Sequence, residues 1–83
     1  GIVGNTMRLI PKGLSLNIFW NNWNKPKIFK LIQTTGRISE KEMQSAFNLG
    51  IGLIAIVSKK DKEKFMKISE QFGEKPILVG EVV

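Results

Sequence analysis

The sequence has no cysteine, no histidine and no tyrosine. Without Cys there is no disulfide framework, no thiolate zinc cluster and no thiol nucleophile. The loss of His and Tyr removes the commonest general base, the commonest metal ligand and a phenolic acid. Carboxylates are few: Asp61 is the single aspartate, beside six glutamates. No apolar run approaches the ~20 residues of a membrane span. Residues 1–10 also lack the charged start and apolar centre of a signal peptide. A cytoplasmic location is the expectation, since a reducing compartment fits a chain without Cys. The first residue is Gly1 rather than methionine. The expectation is a piece of something longer, a processed chain or a chain with a leftover tag residue.

What is present bounds the rest. The 83 residues allow one domain, and 42% apolar residues allow a modest core. A chain this short buries only about 60% of the surface it exposes when unfolded, so folding without a partner surface is expected to be marginal. The net charge of +6 comes from 13 basic and 7 acidic residues. Strong basicity can mark nucleic-acid or membrane binding. Here the lysines are spread along the chain, and the favoured reading is a solvated surface, with neither nucleic acid nor membrane as partner.

Leu14 to Trp20 alternates apolar and polar residues and reads as a strand. A helix is expected from Pro26, with Asn24 as its cap, an apolar stripe of Ile28, Leu31 and Ile32, and Gly36 as a left-handed stop. A second helix starts at Ser39, where Ser39 and Glu42 have capping-box spacing, and buries Met43, Ala46 and Phe47. Ile51 to Val57 reads as a central strand covered on both faces. A third helix follows Ser58 and Asp61, buries Phe65, Ile68 and Phe72, and stops at Gly73. Pro76 to Val83 is the last strand, interrupted by Gly80. Arg8 to Ile10 could add an edge strand. The order β-α-α-β-α-β predicts a mixed α/β (α+β) fold, partly ferredoxin-like, with helices covering a sheet. Its last three elements would suit a right-handed parallel crossover.

The most suggestive stretch is Asn48-Leu49-Gly50-Ile51-Gly52. Its glycines fit either a wall approached by a nucleotide or phosphate, or a helix cap followed by tight packing; packing is the favoured reading. It is no phosphate loop, because no Gly-Lys-Ser/Thr follows and no helix starts there. Gly1 to Gly4 with Asn5 fits a remnant of an anion-binding turn or, preferably, a frayed terminus. Arg8 suits bidentate phosphate contact, with a surface ion pair as the simpler role. Trp20, Trp23 and Phe29 fit packing better than base stacking, which needs aromatics interleaved with a basic groove. Capping accounts for Glu42 and Asp61, and a solvated strand face for Glu81. No catalytic residue and no metal ligand is assigned.

Four collinear pieces carry a resemblance. They are Asn5-Thr6-Met7-Arg8-Leu9-Ile10-Pro11; Trp23-Asn24-Lys25-Pro26-Lys27-Ile28-Phe29-Lys30-Leu31-Ile32-Gln33; Glu42-Met43 with Phe47-Asn48-Leu49-Gly50-Ile51-Gly52-Leu53; and Val79-Gly80-Glu81-Val82. Together they resemble the end of the C-terminal domain of the aminoimidazole ribonucleotide synthetases, the phosphoribosylformylglycinamidine cyclo-ligases. There are departures. The family commonly has Met at the positions of Leu49 and Leu53, often Glu at Gly4 and often Pro at Met7. Gly1 matches the last member of a glycine triplet that a histidine precedes in the family.

The resemblance implies that residues 1–83 are part of a C-terminal domain, with the N-terminal ATP-binding and dimerisation domain absent. It implies ATP-dependent closure of an imidazole ring. ATP phosphorylates the formyl oxygen of formylglycinamidine ribonucleotide, the amidine-side nitrogen attacks, and aminoimidazole ribonucleotide, ADP and phosphate result. ATP and Mg²⁺ would be held mainly by the N-terminal domain, and the whole enzyme would be a homodimer. This chain would give one wall of the cleft and be inactive alone, with Gly1, Asn5 and Arg8 as substrate contacts and Asn48, Gly50 and Gly52 as further ones. Two other readings stand beside it. One is a sibling of the same two-domain plan: formylglycinamidine ribonucleotide synthetase, selenophosphate synthetase, thiamine-phosphate kinase or the hydrogenase-maturation dehydratase. The other is a basic, non-enzymatic binding module.

Overall fold

Antiparallel pairing between segments more than sixty residues apart organises the chain. A computed structural model describes residues 1–83. In order, the elements are α1 (Ile2–Met7), β1 (Leu16–Ile18), α2 (Lys27–Gly36), α3 (Glu40–Ala46), a 3-10 turn (Lys59–Asp61) running into α4 (Lys62–Gln71), and β2 (Gly80–Val82). The class is mixed α/β, as expected. Strand β1 pairs with β2 in the register Leu16↔Val82, Asn17↔Glu81, Ile18↔Gly80. Backbone bonds from Ser15 to Val83 and from Phe19 to Val79 extend the ribbon at both ends.

Several elements depart from the sequence reading. The first residues form α1 instead of a frayed end with an edge strand at Arg8 to Ile10. Ile2 and Thr6, one helical turn apart, are buried on the face of α1 that meets α3. The expected central strand, Ile51 to Val57, forms no ladder: residues 52–57 neither give nor accept a backbone hydrogen bond. No neighbouring strand lies beside it, because the sheet contains only β1 and β2. The last strand therefore closes antiparallel onto the first, and the parallel crossover with Ile51 to Val57 is not made.

Two helix ends lie where the sequence places them, at Ser39 and Gly73. Ser39 Oγ accepts the Glu42 N–H at 3.2 Å and starts α3. Ser58 Oγ instead donates to Asp61 Oδ2 at 2.7 Å, joining the two side chains across the 3-10 turn. Helix α2 starts behind Pro26, and Asn24 makes no capping bond. Its left-handed stop is Arg37, with φ of 52°, one residue beyond Gly36. The Arg37 N–H reaches Thr34 O and the Ile38 N–H reaches Gln33 O, a Schellman closure. Gly73 closes α4 in the same way, through Gly73 N–H to Glu70 O and Glu74 N–H to Ser69 O. On the helix faces, Ile28, Leu31 and Ala46 lie outside, while Ile32, Met43 and Phe47 reach the core. Phe65, Ile68 and Phe72, expected inside, are exposed, Phe72 by 81%. The chain covers that side of α4 only in part.

The core is four residues, Ile2, Trp23, Met43 and Leu49, flanked by Ile18, Trp20, Phe29, Ile32, Ile38, Phe47, Ile51, Ile54 and Val79. Phe29 and Phe47 meet with ring centroids 5.7 Å apart. The molecule is a slab of 42 × 35 × 17 Å. Its radius of gyration is 14.2 Å, against about 12 Å for a compact chain of this length.

So small a core leaves each member with a large share of the stability. Ile2→Ala should destabilise the chain by about 2–4 kcal/mol, read as a lower urea midpoint or as loss of the cooperative transition. Arg37→Gly should act the other way, raising stability by about 0.5–1 kcal/mol, because glycine takes the left-handed stop without a Cβ clash.

Candidate functional site

A tight turn between α3 and the apolar run Ile51–Val57 shapes the site. The Ile51 N–H bonds back to Asn48 O at 3.1 Å. Between them Leu49 has φ of 54° and Gly50 has φ of 97°, the backbone of a type I′ turn. Glycine takes this conformation freely; leucine takes it at a cost of about 1–2 kcal/mol. Three features hold Leu49 there. Its side chain is buried in the core, its carbonyl accepts the Trp23 Nε1–H at 3.0 Å, and Gly50 lies against Pro26. A Cβ on Gly50 would stand 2.6 Å from Pro26 Cδ. Trp23 is itself fixed: Lys25 Nζ sits 4.4 Å from its ring centroid and donates to the carbonyls of Trp20 and Trp23. The Trp20 ring lies 6.0 Å away.

This turn and α1 bound a cleft of about 120 Å³, lined by Ile2, Asn5, Thr6, Asn48, Ile51, Gly52, Leu53 and Ile54. Three expected site residues meet here: Asn5 from α1, Asn48 at the start of the turn and Gly52 just after it. Asn5 and Asn48 are exposed, and neither side chain bonds to the rest of the chain. Their amides are free to give and accept hydrogen bonds to a ligand. A Cβ on Gly52 would meet nothing within 4 Å, so Gly52 is an open stretch of backbone and the tight-packing reading does not apply to it. It does apply to Gly50, whose place against Pro26 is structural. Gly1 packs too: a Cβ there would run into the carbonyls of Gln44 and Ser45 on α3. Arg8 ends α1, exposed and outside the cleft lining. Sequence reasoning missed Thr6, which lies one helical turn from Ile2 on the buried side of α1.

The cleft holds no charged side chain. No three His, Cys, Asp or Glu side chains come together anywhere in the chain, so the residues present do not build a magnesium site. Sites for ligands of nucleotide size are ~300–1,000 Å³; this cleft alone does not fit ATP. A larger hollow of about 310 Å³, lined by Val3, Gly4, Trp20, Lys41, Gln44 and Ser45, contains none of the expected contacts. No helix is long and apolar enough to cross a membrane.

Comparison with known families supplies the decisive observation. The model of the family described as AIR synthase related protein, C-terminal domain, matches residues 1–83. The chain belongs to this family. Among similar proteins, the phosphoribosylformylglycinamidine cyclo-ligase of Caldanaerobacter subterraneus is 40% identical over 83 residues, which is 100% of this chain and 25% of that protein. The cyclo-ligases of Alkaliphilus metalliredigens and Bacillus cytotoxicus are 37% and 39% identical over the same length, 24% of each. The chain thus spans about a quarter of the length of the curated relatives it matches. These names favour the cyclo-ligase resemblance over the sibling enzymes, and neither those nor a basic binding module is supported for this member of the AIR synthase related family.

Gly50→Ala should be the most damaging glycine change in the site. It combines a positive φ with a collision against the Pro26 ring, for a loss of about 2–4 kcal/mol. Gly52→Ala, with open space around it, should cost under about 1 kcal/mol. Urea titration of the two variants side by side checks the contrast.

Proposed function

We propose that this chain forms one wall of the substrate cleft in a phosphoribosylformylglycinamidine cyclo-ligase, an ATP-dependent enzyme of purine synthesis that closes an imidazole ring. The observation that carries the reading is the meeting of Asn5 and Asn48, far apart in sequence, beside the open backbone of Gly52. Two unpaired amides and a bare backbone edge suit a neutral, hydrogen-bonding ligand part such as an amide, an amidine or a ribose hydroxyl. They can orient it by paired donors and acceptors, with little pull on a phosphoryl charge. Arg8, at the mouth of α1, is the nearest candidate for an anionic end of the substrate. Gly1 and Gly50 serve the site by setting the backbone against α3 and Pro26.

In this reading the reacting groups lie outside residues 1–83. The chain has no carboxylate cluster for Mg²⁺ and the cleft, at about 120 Å³, has no volume for a whole nucleotide, so ATP and the metal belong to an N-terminal domain of the same enzyme. Residues 1–83 are then part of its C-terminal domain, and the chain alone is inactive. A cytoplasmic homodimer is the form proposed for the whole enzyme.

A chimera tests this. These 83 residues replace the matched quarter of the Caldanaerobacter cyclo-ligase, and release of ADP is followed with formylglycinamidine ribonucleotide as substrate. Turnover is expected in the chimera and not in the isolated chain. Asn5→Ala and Asn48→Ala should each lower kcat/KM by about 10-fold or more, the scale of one or two lost hydrogen bonds to substrate. Their melting temperatures should stay unchanged, since neither side chain has a partner in the fold. Full activity in both variants would remove these two residues from the site.

A further inference from the structure

The run Ile51 to Val57 is the longest apolar stretch of the chain left without backbone pairing. Six successive residues, 52–57, make no backbone hydrogen bond. Buried backbone groups are nearly always paired, so a segment left wholly unpaired is one that water, or a strand, has to satisfy. The side chains are not those of a solvated loop. Leu53 is 93% exposed, and Ile56 and Val57 stand out beside it. β-branched and aliphatic residues in this density belong to a strand covered on both faces.

The surface area points the same way. The chain exposes 6731 Å², whereas a compact monomer of 9.4 kDa exposes about 5,000 Å². The excess, roughly 1,700 Å², is about twice what one partner contributes to a standard interface. Such an area belongs to permanent contacts. A second copy is a poor candidate for the occupant, because each chain carries +6. Lys59, Lys60, Lys62 and Lys64 directly follow the run, with only Asp61 and Glu63 among them. A strand with carboxylates beside its apolar residues complements that end. The cyclo-ligase relatives carry about three quarters of their length outside the matched stretch, enough chain to supply it.

We infer that Ile51 to Val57 is the docking edge for an extended, acid-flanked apolar strand from the rest of the cyclo-ligase polypeptide, and that this strand completes the substrate cleft. Gly52, Leu53 and Ile54 line the cleft, so pairing along the run fixes its wall. The inference rests on the cyclo-ligase reading for its occupant. Pairing and catalysis are nonetheless measured separately.

Amide hydrogen exchange is compared between the isolated chain and the chimera with the Caldanaerobacter enzyme. Residues 52–57 should exchange freely in the isolated chain and become protected on the order of 100-fold or more in the chimera. Ala55→Pro removes one backbone donor that has no partner in the isolated chain. It should leave the isolated chain's melting temperature unchanged while abolishing protection in the chimera. If the chimera is insoluble with the native sequence, the same exchange is read on the chain co-expressed with the Caldanaerobacter enzyme lacking its matched quarter. Protected amides at 52–57 in the isolated chain, a homodimer of the isolated chain by light scattering, or no added protection in either format would overturn the inference. Protection without turnover would leave the strand edge standing and sink the cyclo-ligase reading. Turnover without protection would do the reverse.

Discussion

The hydrogen bond from the Trp23 indole to the Leu49 carbonyl is the constraint on which the site depends. It spans 26 residues and is buried, and it ties the segment before α2 to the turn after α3. Leaving that carbonyl without its donor would expose the full desolvation cost of a buried polar group, about 1–3 kcal/mol. That is enough to offset what leucine loses by adopting a left-handed conformation. Strain at Leu49 therefore persists because the tryptophan, the core around the leucine side chain and the Pro26 ring against Gly50 all fix one geometry. Asn48 and Gly52, on either side of the turn, take their positions from it.

The same economy explains the shape. A core of four residues cannot hold three layers together, and the slab leaves apolar faces bare on α4 and along Ile51 to Val57. Helix α2 shows the local version: Ile32 reaches the core while Ile28 and Leu31 on the same helix face outward. Amphipathic faces are therefore present in the sequence in excess of the surface this chain can cover. The exposed side of α4, with Phe65, Ile68 and Phe72, is of the same kind.

This excess also decides what was legible in advance. Local signals are legible: the positions of α2, α3 and α4, the Ser39 cap and the Gly73 stop all follow from residues close in sequence, and the first strand, expected over Leu14 to Trp20, forms over the shorter Leu16–Ile18. Two of the misses are local as well. Pro26 itself takes the N-cap position, which leaves Asn24 two residues too early to cap, and the left-handed stop falls on Arg37, which has no sequence preference for it. The larger misses concern pairing. Ile51 to Val57 has the composition of a central strand, but composition cannot supply the neighbours a strand needs. The last strand was recognised, and its partner was not, because antiparallel closure onto Leu16 to Ile18 leaves no trace in either segment. In α1 the period was too short to see, although Ile2 and Thr6 sit one turn apart.

For the candidate site, the segments singled out in the sequence hold two kinds of residue. Asn5, Asn48 and Gly52 meet in the cleft, whereas Gly1 packs on the backbone of α3 and Gly50 against the Pro26 ring. A sequence cannot separate these classes, because a glycine that admits a ligand and a glycine that admits another chain segment are the same residue. Geometry separates them by what a Cβ would strike. At Gly50 it strikes a proline ring, and at Gly52 it strikes nothing. A position where a side chain would fit and none is present is open for other reasons than packing. Gly52 is thus the glycine of the turn whose backbone lies open along the cleft wall.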